Sequence, residues 1–552
     1  MNIKKLLSSI MLAALTMVSL NASAGNINAT AARNAANNFI KQHAAANPGS
    51  FKANAVNDLQ LTHAEPSSAV NNAVDYYVFN IKGGGFVIIA GEDRASQVIG
   101  YSDKGHLDVN HMPYGLKGLL DGYKREIEFL QTYKGDDLVT VTPTFNATSG
   151  VEPLIKTNWG QEMPYYLQCP LENCEYCVVG CVATAMAQVM YYWKFPTSSA
   201  AISGYGGGWW GGITVPALPA TSFDYSLMLP SYCHWDYDLG ELIQDTYTDE
   251  QAQEVAKLGR YCGQAVEMDY SPEGSGAYTS NQLAAMKSFG YSNNAQLKSK
   301  SGNTTQWETM IRTELDAGRP ILYSANDPSA GGHAFICDGY NSSNYYHFNY
   351  GWYGTCDGWY LTTALNMIHR DGEELHFNSG HQMLTGVEPP TYCVINAESL
   401  DAPNNLMILG QALSTEAKGV NFITTYSTIN LLFSFVDMDG NLVATSSSVP
   451  LNKSSFVQGS DVAGAITLPT TMTPGLYDFK LYYSTTQSNR PIAIECNAGQ
   501  LRVVGRLAKY NADFDINDVT YLIDLVLGNA GSNDMNIDIN DVTSLIDYIL
   551  GK

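Results

Sequence analysis

Positive charge is what this chain of 552 residues lacks most: 30 Lys and Arg face 53 Asp and Glu, a net charge of −23. That balance opposes binding to nucleic acid or to anionic lipid, both of which are held by basic side chains. Long apolar runs are also missing beyond the extreme N-terminus, which predicts no membrane span. Histidine is absent from the cluster Cys169, Cys174 and Cys177, so a zinc site there lacks a fourth ligand, and a disulfide or buried reduced thiols are the expected state. With ten cysteines in all, one catalytic thiol leaves an odd number, so at least one more stays unpaired in a monomer.

What the chain does have begins with Met1-Asn2-Ile3-Lys4-Lys5, an apolar run from Leu6 to Leu20, and Ala22-Ser23-Ala24. This is the pattern of an export signal cleaved after Ala24, and it predicts a secreted or cell-surface protein. The length predicts about three or four domains. Residues 25–150 read as a helix around 31–40, a weakly patterned linker, a hairpin of strands at 76–81 and 85–90, a helix at 115–133, and a polar, cleavable linker. Residues 151–390 read as helices first (249–263, 280–289) and antiparallel strands after (321–324, 333–337, 345–350, 358–361), an α+β domain with a cleft between two halves. Short alternating strands over 391–505 predict a β-sandwich.

The stretch Gly180-Cys181-Val182-Ala183-Thr184-Ala185-Met186 puts a cysteine where an apolar helix begins. Gly180 allows a sharp entry, and the positive end of the helix dipole favours a thiolate. Gly331-Gly332-His333 places an imidazole at the head of a strand, and Asn349 follows sixteen residues on. Thiol catalysis needs a base for the thiol proton, a group that holds that base's tautomer, and donors for the oxyanion. Cys181, His333 and Asn349 supply the thiol, the base and the orienting group in chain order. The Gln161 amide and the Cys181 N–H supply the donors.

These segments, with Val266-Glu267-Met268-Asp269-Tyr270-Ser271-Pro272, resemble the streptopain family of secreted bacterial cysteine peptidases over about residues 70 to 390. The resemblance implies a papain-like two-lobed peptidase domain (151–390) behind an N-terminal α+β inhibitory propeptide (25–150), hence a zymogen endopeptidase needing no cofactor for catalysis. It assigns Cys181 as nucleophile, His333 as base, Gln161 to the oxyanion hole, and Asn349 with the following aromatic as orienter of His333. Glu267, Met268, Ser275, Gly332, Tyr350 and Trp352 would border the substrate, with a hydrophobic residue favoured two positions before the scissile bond. Tyr350 departs from the family's usual tryptophan, so the packing over the imidazole is expected to differ. The alternatives are a catalytically silent papain-like binding or adhesion protein, or a thiol acyltransferase.

The last 47 residues (506–552) hold an internal repeat: Asp515 to Gly528 recurs as Asp538 to Gly551, an offset of 23 residues. It resembles paired dockerin modules, small helical units whose loops bind calcium. Asp513, Asp515, Asp518, Asp534, Asp538 and Asp541 are the candidate ligands, although Leu507 and Lys509 fall at the first ligand positions. The resemblance implies a cohesin-like or surface partner for the tail. The other expected partners are protein or peptide substrates and the chain's own propeptide, with no nucleic acid.

Overall fold

The computed structural model describes residues 25–47, 50–51, 55, 58–140, 150–206, 212–236, 241–300, 304–327, 331–365, 367–370, 380–403, 406–438, 440–486, 491–494, 496, 499–510, 514–527 and 538–551. The export signal expected over 1–24 and most of the linker expected before residue 150 lie outside these residues.

A ten-stranded antiparallel sheet organises the first 390 residues. Four N-terminal strands, β1 (Leu59–Pro66), β2 (Val74–Ile81), β3 (Phe86–Ala90) and β4 (Val98–Ser102), run on into six from the later region. Those six are β5 (Gln296–Ser299), β6 (Ile321–Asp327), β7 (Gly331–Tyr340), β8 (Tyr346–Asn349), β9 (Gly358–Tyr360) and β10 (Gln382–Thr385). The spatial order is β1-β2-β3-β4-β9-β8-β7-β6-β10-β5. The seam is β4 on β9, with Tyr101 opposite Trp359 and Gly100 opposite Tyr360. The expected hairpin is β2–β3, turned at three glycines with positive φ, Gly83 to Gly85.

Part of the region read as a linker is strand β1. Its mostly exposed, polar side chains gave no apolar signal, because as the outermost strand it needs only backbone bonds to β2.

Helices cover the sheet: α1 (Ala29–Ala46), α2 (Tyr114–Thr132), α3 (Cys181–Trp193), α4 (Asp249–Ala265), α5 (Asn281–Ser288) and α6 (Thr304–Asp316). Helix α3 is apolar on nearly every face and accordingly buried along its length. Its side chains Met186, Val189 and Met190 join Leu258 and Cys262 of α4 and Ile336 of β7 in one core. A second core lies over the other part of the sheet, where Leu116, Leu120, Tyr123 and Ile127 of α2 meet Phe335, Phe348, Tyr350 and Tyr360. Buried apolar area on this scale stabilises at roughly 25 cal/mol per Å², so the N-terminal region is held by a shared core as well as by the strand ladder.

Beyond residue 390, two antiparallel sheets enclose a third core that includes Phe422, Phe433, Phe435 and Phe479. This sandwich runs past 505: Leu507–Tyr510 is a strand paired with Gln500–Val504. Leu507 and Lys509, expected in a calcium loop, are therefore sheet residues. The repeat forms helices α7 (Ile516–Val526) and α8 (Ile539–Ile549), whose Val519, Leu522, Val542 and Leu545 pack on Leu406, Ile408 and Leu507 of the sandwich. No helix among the described residues is long and apolar enough to cross a membrane.

Candidate active site

Cys181 is the first residue of α3, and Gly180 enters it at φ +86. A Cβ at position 180 would fall 2.7 Å from the Met268 sulfur and 3.0 Å from the Ser275 carbonyl oxygen. Glycine is thus required twice over, by backbone conformation and by the closeness of the loop after α4. Met268 is buried and Ser275 half-buried beside the turn into Cys181. The Ser275 hydroxyl is spent within that loop, accepting from Ser271 N–H and donating to Ser271 C=O. Glu267 is exposed at φ +54.

His333 arrives from β7, directly after the exposed Gly332, and is 3% exposed. The next residue's N–H, from Ala334, donates to Cys181 Sγ at 3.5 Å. Burial alone would raise the Cys181 thiol. The charge of His333 and hydrogen bonds from His333, Ala334 and Val182 outweigh it and hold the thiol below its ordinary value. Burial likewise would lower His333, and Cys181 with the Tyr350 carbonyl carries it above its ordinary value.

Both shifts favour the same state, thiolate beside imidazolium. The contrast with the chain's other thiols is sharp: burial pushes Cys169 up to about 12 and Cys233 to about 11. All ten cysteines are free, and of the cluster expected to hold a disulfide or buried reduced thiols, Cys169 and Cys177 are buried free thiols and Cys174 is exposed.

The group that orients His333 is the carbonyl of Tyr350, which accepts from Nε2–H at 3.2 Å. This leaves Nδ1 as the ring nitrogen for Cys181. The Asn349 side chain is engaged elsewhere: Nδ2 donates to Thr157 C=O at 2.8 Å, while Oδ1 accepts from Gln188 Nε2 and from Gly351 N–H, both at 3.0 Å. Of Asn349 and the following aromatic, which were expected together on the imidazole, it is Tyr350 that touches it, through its main chain. The Tyr350 ring lies in the second core against Phe335, 5.0 Å between centroids, and its N–H donates to Asp357 Oδ1 at 2.8 Å. Tyr350 thus acts on the site through its backbone, and Trp352 packs partly buried on the same core.

Gln161 is half-buried, and its carbonyl accepts from Val179 N–H at 3.0 Å, which ties it to the segment entering Cys181. Gln188, Thr157 and Asp357 were not singled out from sequence. The one signal for Gln188 was its place seven residues after Cys181, on the same helix face.

The tail acids form no cation cage among the described residues. Asp515 and Asp538 cap α7 and α8 through capping boxes closed by Asp518 and Asp541. Asp518 also receives Lys509 Nζ on both oxygens at 2.8 Å, and Asp541 receives Arg506 at 2.5 Å. Asp518 and Asp541 are thus each engaged in an ion pair as well as a capping box. Asp513 and Asp534 lie outside the described residues.

Residues 159–360 match the Peptidase C10 family and residues 24–127 match the Spi protease inhibitor family. The thiol protease/hemagglutinin PrtT of Porphyromonas gingivalis is 30% identical over 336 residues, 57% of this chain but 37% of that protein. Streptopain of Streptococcus pyogenes is 27% identical over 394 residues, 65% of this chain and 91% of streptopain. Among solved structures, a prointerpain A fragment of Prevotella intermedia is 29% identical and covers 60% of this chain and 98% of its own, with a TM-score of 0.47. The active interpain A cysteine protease of the same organism is 30% identical and covers 45% and 99%, with a TM-score of 0.37.

Proposed function

Starting from a chain that carries a Peptidase C10 domain behind a Spi-type inhibitor domain, and so is a cysteine peptidase made as a zymogen, we propose a secreted endopeptidase that works through Cys181 and His333. One arrangement carries the assignment: Cys181 Sγ, at the first residue of α3, receives the Ala334 N–H at 3.5 Å beside His333, whose Nε2–H is held by the Tyr350 carbonyl at 3.2 Å, and the lowered thiol and raised imidazole agree with it.

The thiolate attacks the scissile carbonyl carbon, and the oxyanion gathers the Cys181 N–H and the Gln161 amide. The His333 imidazolium gives its proton to the leaving amine. Water then enters, His333 takes its proton, and the acyl–sulfur bond breaks to return the thiolate. Throughout, the Tyr350 carbonyl holds Nε2–H and so keeps Nδ1 directed at sulfur. Met268, Ser275 and Glu267 border the pocket for the hydrophobic residue two positions before the cut. Gly332, Tyr350 and Trp352 flank the other side, Tyr350 through its main chain.

Export by residues 1–24 and a cohesin-like or surface partner for the tail belong to the same reading. Its support for the tail is that Ile516 and Leu527 recur as Ile539 and Leu550, all exposed after the helices have docked.

The test is alkylation of the processed enzyme by iodoacetamide across pH, followed by mass mapping. Cys181 should label first and still label rapidly at pH 6, and His333→Ala should confine labelling to pH above 8. Slow labelling of Cys181 at pH 6 in the unmutated enzyme would sink the assignment.

A further inference from the structure

The imidazole of His333 is steered by a carbonyl, and a carbonyl has no rotamer of its own: it points where its peptide is held. What holds the Tyr350 peptide is a closed ring of three buried side chains. Thr157 Oγ1 donates to Gln188 Oε1 at 2.6 Å, Gln188 Nε2 donates to Asn349 Oδ1 at 3.0 Å, and Asn349 Nδ2 donates back to the Thr157 carbonyl at 2.8 Å. Thr157, Gln188 and Asn349 are 1%, 0% and 3% exposed. Asn349 Oδ1 also accepts from Gly351 N–H, so the residues on both sides of Tyr350 are tied to one amide.

Gly351 allows the approach: at φ +64, a Cβ there would lie 3.0 Å from Thr184 Cγ2 of α3. The ring stands on the helix that carries the nucleophile, two turns below it.

We propose that Gln188 is a positioning residue for the peptidase reaction, fixing the Tyr350 peptide to helix α3 so that His333 and Cys181 keep their mutual geometry. The inference rests on the Cys181–His333 assignment above. One helix then dictates both ends of the proton path: its first residue places sulfur, and Gln188 places the acceptor behind the imidazole. Gln188 touches neither substrate nor reacting atoms. The titratable groups facing this path are Cys181 from α3 and Asp357, which takes the Tyr350 N–H; α2 brings the uncharged Gly115 against His333.

The experiment compares processed enzyme with Gln188→Met, which keeps the volume and loses both hydrogen bonds, and with Gln264→Met as a control. Gln264 is equally buried but bonds to Arg260 and to the Ser203 and Pro216 carbonyls, away from Tyr350. Gln188→Met should lower kcat on a peptide substrate about 10- to 100-fold with KM within about twofold. It should also move the alkaline limb of kcat/KM down by roughly half a pH unit or more, as the imidazolium loses its acceptor. Gln264→Met should lose stability and keep the limb.

An unchanged kcat and limb in folded Gln188→Met overturns the proposal. Should that variant not fold, Thr157→Val, which removes only the hydroxyl on Gln188, is measured for the same shift, and an unmoved kcat and limb there overturn the proposal equally. The peptidase assignment and the positioning role fail differently. Absence of a low-pH-reactive Cys181 in the unmutated enzyme removes the peptidase assignment, whereas a reactive Cys181 with an indifferent Gln188 removes only the positioning role.

Discussion

Gly115, near the start of helix α2, sits so close to His333 that a Cβ there would come within 2.9 Å of imidazole Cδ2 and 2.8 Å of the Phe335 ring. The N-terminal region therefore rests on His333 itself. In this structure Cys181 and His333 are already paired while α2 lies against the imidazole.

Gly115→Ala should weaken that seat by roughly 1 to 3 kcal/mol, the usual cost of forcing atoms into a packed contact. The expected outcome in the full-length chain is faster appearance of the shorter active form on a gel time course. An unchanged or slower time course would count against the contact as the inhibitory one.

Glu126 of α2 is 1% exposed and accepts from Ala364 N–H at 2.6 Å and Thr363 Oγ1 at 2.9 Å, both in the peptidase region. Burial pushes its carboxyl up to about 7 from 4.5, against the lowering pull of Lys300 and those hydrogen bonds. Docked, the group keeps its proton to about pH 7; released, it loses it near 4.5. Docking is therefore strongest below pH 4.5 and weakens as pH climbs through 7, by roughly 3 kcal/mol in all. In a Cys181→Ala background that prevents self-cleavage, the full chain should lose thermal stability between pH 5 and 8. Adding Glu126→Gln should flatten that slope, and equal slopes in the two proteins would refute the role.

At Gly180, alanine faces a positive φ and the Met268 sulfur together. The backbone cost alone is roughly 1 to 3 kcal/mol, and relief would move the helix start that positions sulfur. Gly180→Ala should cut kcat/KM by 100-fold or more while circular dichroism stays native. Retention of near-native kcat/KM would show that the loop yields.

Lys509 is 8% exposed and is bound by both oxygens of Asp518. Removing it leaves a mostly buried carboxylate unmatched, a loss of roughly 3 kcal/mol. Lys509→Ala should make α7 and α8 the first segment lost to limited proteolysis, with peptidase activity untouched; intact tail helices after digestion would contradict it.

The meeting of Cys181 and His333 was legible in sequence because their surroundings are written in local residues: a glycine before a cysteine opening an apolar helix, and a glycine pair before a histidine opening a strand. The orienting group was legible only in part: Asn349 with the following aromatic drew the assignment, but a main-chain carbonyl leaves no trace in the residue that offers it, so the contact made by Tyr350 through its backbone was not read. Gln188 looked like one polar residue in an apolar helix. Strand β1 and Leu507–Tyr510 escaped for a related reason, since strands specified by backbone pairing at an edge, or by partners far along the chain, carry little periodic signal of their own. Helix α6, also unread, buries Trp307, Ile311 and Leu315 on a narrow stripe.

The single sheet that runs from β1 to β5 has one more implication. Cutting the chain anywhere between β4 and Cys181 severs a covalent link but not the lacing of β4 to β9, nor the aromatic cushion beneath them. Nicking and activation are thus separate events, since a fragment that has been cut stays laced to the sheet through β4 and β9. Once it has left, the rim formed by Gly358 to Tyr360 is a bare strand edge that the mature enzyme must carry.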